Sequence, residues 1–213
     1  MPGRLVLGLP LYTHVSTLWL IRYMELDKSS VVDTIAIRKL YLASAMNHMF
    51  KKAIESDSWD RIVVYEADMM PPRNALARIA NYPDSLDVVG SMYFQHNPPH
   101  YPIAYEQVDE EHFKHLDGSQ IDHMMSNPGL YPVDGIGFGF TSVHRRVIEK
   151  WDNNIDMFGG ENHLGHDMWF CKNARAQGFS VHIDSAIECG HLTEMPINYN
   201  SVLAHASLGE KNG

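Results

Sequence analysis

A chain of 213 residues with 45% hydrophobic and 20% charged side chains has the make-up of one ordinary folded domain, which excludes a disordered segment or a fibrous repeat. Seventeen Lys and Arg stand against 26 Asp and Glu, and the net charge of -9 argues against non-specific binding to phosphate backbones beyond a local basic groove. Cys171 and Cys189 are too few for a disulfide scaffold and no apolar run reaches the ~18 residues of a membrane span, so the expectation is a cytoplasmic protein with no membrane partner.

Arg4 to Leu9 reads as a short buried strand stopped by Pro10. Val15, Leu18, Trp19, Tyr23 and Leu26 then recur at helical spacing, with Thr13 as the cap. Val31 to Ile37 reads as a second strand, and Leu40, Ala43, Met46, Asn47, Phe50 and Ile54 keep one helical face for about four turns. Asn47 is the polar member of that stripe, and a buried amide without partners would cost a few kcal/mol. Arg61 to Tyr65 is a buried strand run that ends in Glu66-Ala67-Asp68, after which Pro71 and Pro72 suit the first turn of a helix from Arg73 to Asn81.

Val88 to Phe94 predicts another strand, Gln95 to Pro102 a Pro-rich bend, and Ile103 to Tyr105 a short strand beside it. From Gln107 to Leu130 there is no clear period, so a long loop or insertion is expected, carrying His112, His115 and His123. Val133 to Ser142 alternates Gly135, Gly137 and Gly139 with Ile136, Phe138 and Phe140, the pattern of a strand whose bare face another backbone or a ligand approaches. A helix around Val143 to Trp151, a loop from Asp152 to Leu164, a helix from His166 to Gln177 stopped by Gly178, and a strand from Phe179 to Ile183 precede Glu188-Cys189-Gly190-His191. Residues 1–193 are expected to form the domain and 194–213 a polar tail. Strands alternating with helices imply an α/β fold, a single domain whose central mixed, mainly parallel sheet is flanked by helices and binds ligands beyond the strands' carboxyl ends.

Two clusters there can carry chemistry. Glu66 and Asp68 stand at alternate positions of extended chain and can converge on one hard cation; the plainer reading is an acidic turn that caps the following helix. Gly165-His166-Asp167 opens a helix, where an Asp is commonly a simple cap, but His191 lies beyond a later strand end and can reach a metal.

Taken in order, Leu7-Gly8-Leu9-Pro10 with Tyr12, Ala45-Met46-Asn47 in the long helix, Val64-Tyr65-Glu66-Ala67-Asp68 with Met69-Met70-Pro71, Gly137-Phe138-Gly139, His166-Asp167 with Gly178, and Gly190-His191 carry a resemblance. From about Leu5 to His191 the chain resembles glycosyltransferases of the GT-A (Rossmann-like) fold, the small phage-encoded members above all. The resemblance implies metal-dependent transfer of a sugar from a nucleotide-sugar donor to an acceptor hydroxyl on a modified DNA base, a virion protein or a glycan. It makes the acidic triplet a D-x-D element, with Asp68 and His191 ligands of Mn2+ or Mg2+ and Glu66 a further ligand or a contact to the ribose. Asp167 becomes the catalytic base of an inverting reaction, or a positioning group in a retaining one. Pro10, Leu11 and Tyr12 would cradle the base, while Asn47, Ala67, Gly137 and His166 would line the donor site, Gly137 by leaving room for the sugar; the alternative for Asn47 is a buried amide bonded to nearby backbone, and for the glycines tight strand packing. The stretch 107–130 is expected on the acceptor side.

Three positions depart from the family pattern: Glu66 replaces Asp, Met46 stands where Arg is common, and His166 stands where Glu is usual. A sugar nucleotidyltransferase would want a basic, Gly-rich loop near the N-terminus, and Leu7 to His14 holds no Lys or Arg. A zinc hydrolase built on His163 and His166 lacks a supporting helix motif. A non-catalytic carbohydrate-binding or virion-associated module of the same fold is the reading from another class.

Overall fold

The computed structural model describes residues 2–11, 14–160 and 164–193 and the backbone of Pro196–Ile197; Tyr12, Thr13, His163 and the rest of the expected tail lie outside the described residues. In chain order, β1 (Leu5–Leu11), α1 (Thr17–Glu25), β2 (Val31–Arg38), α2 (Leu42–Ile54) and β3 (Arg61–Tyr65) build the first half. Next come β4 (Met69–Met70), α3 (Ala75–Ile79), β5 (Val88–Met92), β6 (Ala104–Gln107), β7 (Phe113–His115) and α4 (Gly118–Ser126). The chain continues through β8 (Leu130–Pro132), β9 (Gly135–Ile136), β10 (Phe140–His144), α5 (Arg145–Glu149), α6 (His166–Ala176), β11 (Val181–Glu188), β12 (Gly190–Leu192) and β13 (Pro196–Ile197).

Seven strands form the central sheet in the order β2-β1-β3-β10-β5-β11-β8. β2, β1, β3, β5 and β11 run one way, and β10 and β8 run against them, so the α/β sheet is mixed and mainly parallel as the alternation of elements predicts. Both faces are covered. Leu5, Leu7, Leu9, Val63 and Tyr65 pack with Trp19 of α1 and Ala75, Leu76 and Ile79 of α3. The alternate residues Val6, Ile62 and Val64 pack with Met46, Met49 and Phe50 of α2 and with Phe170, Cys171 and Ala174 of α6. Burial on both faces is why these strands read as continuous apolar runs rather than as alternating ones. Both cysteines are free and buried. Among the described residues no helix is long and apolar enough to cross a membrane.

Several boundaries differ from expectation for identifiable reasons. Pro10 does not stop β1, which runs to Leu11 beside β2. The Leu11 carbonyl accepts from Lys39 on the β2 side, so by alternation the Pro10 nitrogen faces the β3 side, where pairing has already ended at Gly8 and no N–H is needed. The described cap of α1 is Ser16, whose hydroxyl accepts from the Trp19 N–H. The helix expected from Arg73 to Asn81 is confined to Ala75–Ile79. The stretch 107–130 is not a loop: it holds β7 and α4, and a capping box between Asp117 and Gln120 starts α4. The Gly-rich run 133–142 is split into β9, which pairs with β6, and β10, which enters the central sheet.

β11 delivers the last part of the edge described below, and α3 is tied to it. Asp184, fully buried, accepts from Arg78 Nε at 2.6 Å, Arg78 Nη2 at 3.0 Å and the Tyr82 hydroxyl at 2.7 Å. Removing one partner of a buried charge leaves the other uncompensated, so Arg78→Met should lower unfolding free energy by about 3–5 kcal/mol in urea titration, with an unchanged slope.

Candidate metal and donor site

The carboxyl ends of β1, β3, β5 and β11 lie along one edge of the sheet, and three loops meet there. Glu66 to Asp68 leave β3, Phe94 to His96 leave β5, and β12 follows β11 through Cys189. Short strands lock them together: β12 pairs antiparallel with β4, His191 opposite Met69, the Leu192 N–H donates to the Asp68 carbonyl at 2.6 Å, and the Cys189 N–H donates to the Met92 carbonyl at 2.8 Å.

This backbone brings Asp68, His96 and His191 together, with one ligand atom from each lying within 4.8 Å of the others. Asp68 Oδ2 is 3.5 Å from His191 Nε2 and 3.8 Å from His96 Nε2, and the two imidazole rings have centroids 3.4 Å apart. His191 Nδ1 sits 2.7 Å from the Phe94 carbonyl, which can only accept, so Nδ1 carries the hydrogen and a neutral ring turns its Nε2 lone pair toward Asp68. Burial and then the neighbouring His191 hold the His96 pKa below the ordinary imidazole value, against the pull of Asp68. Asp68 Oδ1 is buried with no hydrogen-bond partner among the described residues. Lone pairs and a carboxylate facing one another, with one oxygen unsatisfied, are what a bound divalent cation would relieve. One oxygen and two nitrogen donors favour Mn2+ and other first-row ions over Mg2+, whose preference is for oxygen.

Glu66 is not a member of this triad. Its backbone is pinned, the N–H to the Gly139 carbonyl at 2.8 Å and the carbonyl to the Trp19 indole at 2.8 Å. Burial of its side chain, then the charges of Asp167 and Asp68, push its pKa well above the ordinary carboxylate value. Asp167 thus faces the same space from the first turn of α6, where its Oδ2 lies 3.4 Å from the Phe138 N–H. His166 Nε2 is 2.8 Å from Asp167 Oδ1; burial lowers the His166 pKa, but hydrogen bonding to Asp167 and its charge outweigh that and raise it.

The remaining expected residues divide. Pro10 and Leu11 end β1 on this edge, and Ala67 lies between the two acids of the triplet. Gly137 does not leave room for a sugar: a Cβ there would meet Tyr93 Oη at 2.1 Å and Ile103 Cγ2 at 2.3 Å, so the bare face is filled by the protein itself. Asn47 is likewise spoken for, its Nδ2 donating to the Phe158 carbonyl at 2.9 Å and its Oδ1 accepting from the Phe158 N–H at 3.1 Å. Its role in the structure is to hold the segment before α6 against α2, and the neighbouring Met46 is fully buried in the core. His96 was hidden inside a Pro-rich bend. The available signal was its place just past the β5 end, equivalent to that of the acidic triplet after β3.

No family model matches the sequence, and no curated protein matches it. Solved structures do. The crystal structure of A197 from STIV is 17% identical with a TM-score of 0.65, over 89% of this chain and 86% of that one. The crystal structure of GalNAc-T7 with UDP, GalNAc and Mn2+ is 10% identical with a TM-score of 0.58, over 90% of this chain and 43% of that one, so the chain spans less than half of its length. At such identities the likeness is one of fold, and the seven-stranded architecture matches a GT-A, Rossmann-like fold.

If Asn47 is a tie between α2 and the segment carrying Phe158, Asn47→Ala should cost about 1–3 kcal/mol of stability by chemical denaturation while Mn2+ affinity stays at the parent value.

Proposed function

We propose that the chain is a metal-dependent glycosyltransferase that moves a sugar from a nucleotide-sugar donor to an acceptor hydroxyl. The observation that carries this reading is the cluster of Asp68, His96 and His191 at the carboxyl edge of a GT-A sheet, with Asp68 Oδ1 buried and without a partner among the described residues. The GalNAc-T7 structure, similar in fold, contains UDP, GalNAc and Mn2+, which supports the same ligand classes here.

In this reading Asp68, His96 and His191 hold a divalent cation, Mn2+ by preference, and Glu66 stands beside it toward the donor's ribose. A cation bound there would supply positive charge to offset the charge that develops on the departing nucleoside diphosphate. Pro10 and Leu11 at the end of β1, with Tyr12 next in sequence, would border the base, and Ala67 would offer its backbone between the acids. Asp167, steadied by the Phe138 N–H and by His166, takes the proton of the attacking hydroxyl in an inverting reaction. The acceptor approaches from the side of β6 and β7.

Two imidazoles and one carboxylate are also a donor set for Zn2+ in hydrolases, which gives one competing reading a specific footing. Incubating the protein with a panel of nucleotide sugars and Mn2+ decides between them. Metal-dependent release of nucleoside diphosphate is expected, abolished by chelator; release of pyrophosphate, or cleavage unrelated to the sugar donor, contradicts transfer. Asp68→Ala should lower Mn2+ affinity and cut turnover at least ~100-fold, in keeping with loss of transition-state charge stabilisation. Asp167→Asn should retain Mn2+ and donor binding and lose about 100- to 10,000-fold in transfer rate, and an active variant would remove the base assignment.

A further inference from the structure

The bend between β5 and β6 starts at the candidate metal ligand His96 and returns at Tyr101. It is closed on itself: the Gln95 N–H donates to the Tyr101 carbonyl at 2.9 Å, and Phe94 bridges to Pro102. Tyr101 leaves 49% of its surface exposed, yet its ring is held, stacked on His115 of β7 with centroids 4.8 Å apart and planes within 14°. His115 packs in turn on Tyr105 of β6 at 4.6 Å. Both nitrogens of that imidazole are engaged, Nδ1 donating to the Pro102 carbonyl at 2.7 Å and Nε2 lying 3.4 Å from the Gln95 amide nitrogen. Tyr105 pairs with Gly135 on β9, just upstream of Phe138, whose N–H faces Asp167. Burial, followed by the charge of Asp167, lifts the Tyr105 hydroxyl to about 12. A column of three rings therefore runs from solvent to the neighbourhood of the candidate base, and its outermost ring is half exposed.

We propose that the outer face of Tyr101, backed by His115, is a platform for a neutral sugar ring of a glycan acceptor, a ring outlying from the one that offers its hydroxyl to Asp167, since His115 and Tyr105 stand between. The inference rests on the transferase reading for the word acceptor. A pyranose has an apolar C–H face that covers an aromatic ring and a rim of hydroxyls that a phenol can bond, which is the chemistry Tyr101 presents in front of Gln95 and Tyr105. Their side chains carry no charge. Lys114 of the same small sheet is paired with Glu106 at 2.8 Å and Arg175 of α6 with Asp134 at 2.7 Å, while Lys172 of α6 has no ion pair among the described residues. With Asp167 at the inner end, a net charge of -9 on the chain and Lys172 as a lone cation of α6, the surface is ill suited to a phosphate backbone, which would call for several unpaired Lys or Arg.

The test follows ring-proton NMR signals of Tyr101 and His115 while the full chain is titrated with methyl glucoside, methyl galactoside, methyl mannoside and, separately, a DNA duplex. At least one glycoside should shift both rings in a saturable way. Tyr101→Phe should keep that binding, and Tyr101→Ala should weaken it by about tenfold while its melting temperature and Mn2+ affinity match the parent. Silence toward every glycoside, equal glycoside affinity in Tyr101→Ala, or a response to the duplex alone would overturn the platform. Failure of the two readings is separable. Glycosides that bind at Tyr101 in a protein without metal-dependent donor turnover would sustain a sugar platform and sink the transferase; Mn2+-dependent turnover with unmoved rings would do the reverse.

Discussion

Asp68 and His191 are far apart in sequence, and everything at the carboxyl edge depends on their being pressed together with one carboxylate oxygen buried and without a partner among the described residues. The backbone enforces this. β4 pairs with β12 directly beside both residues, and the Leu192 N–H is bonded to the carbonyl of Asp68 itself. The Phe94 carbonyl then orients the His191 ring, and His96 follows two residues later on the same strand exit. A buried acceptor without a partner is costly, and protein side chains arranged around one without satisfying it point to a group supplied from outside.

The sheet makes this arrangement available. Parallel strands β1, β3, β5 and β11 all release their chains at one edge, and the reversed β10 in the middle brings Gly139 back to that edge from the opposite direction. The Gly139 carbonyl receives the Glu66 N–H while its own N–H donates to the Tyr93 hydroxyl, so the acidic triplet is braced from the neighbouring strand. α6 points its first turn at the same place and contributes Asp167. Packed helices on both faces hold these strand ends rigid, which a site on free loops would lack.

What was legible in the sequence follows the physics of each element. β3, α2 and the triplet after β3 could be read because an unbroken apolar run and a long amphipathic stripe are strong local signals. Asp68, His191 and Asp167 could be singled out because they follow the runs of β3 and β11 or lie in the first turn of α6. His96 was not, since only tertiary pairing of Phe94 with Pro102 turns its bend into a compact loop on the site. Asn47 and Gly137 show the opposite limit: for each the sequence left a donor contact and a packing role open, and the partners that decide it, Phe158, Tyr93 and Ile103, come from distant segments that no local pattern reveals. The capping box at Asp117 and Gln120 was present in the sequence, and α4 was missed because its buried face is only Ile121 and Met124, too short for a period.

The central claim concerns which atoms grip a cation, and pulsed EPR of the Mn2+-loaded protein tests it most directly. The account predicts hyperfine coupling from two imidazole nitrogens, one lost in His96→Ala and the other in His191→Ala, with binding itself lost in Asp68→Ala. A bound Mn2+ that couples to no imidazole, or whose spectrum is unchanged in all three variants, would contradict it.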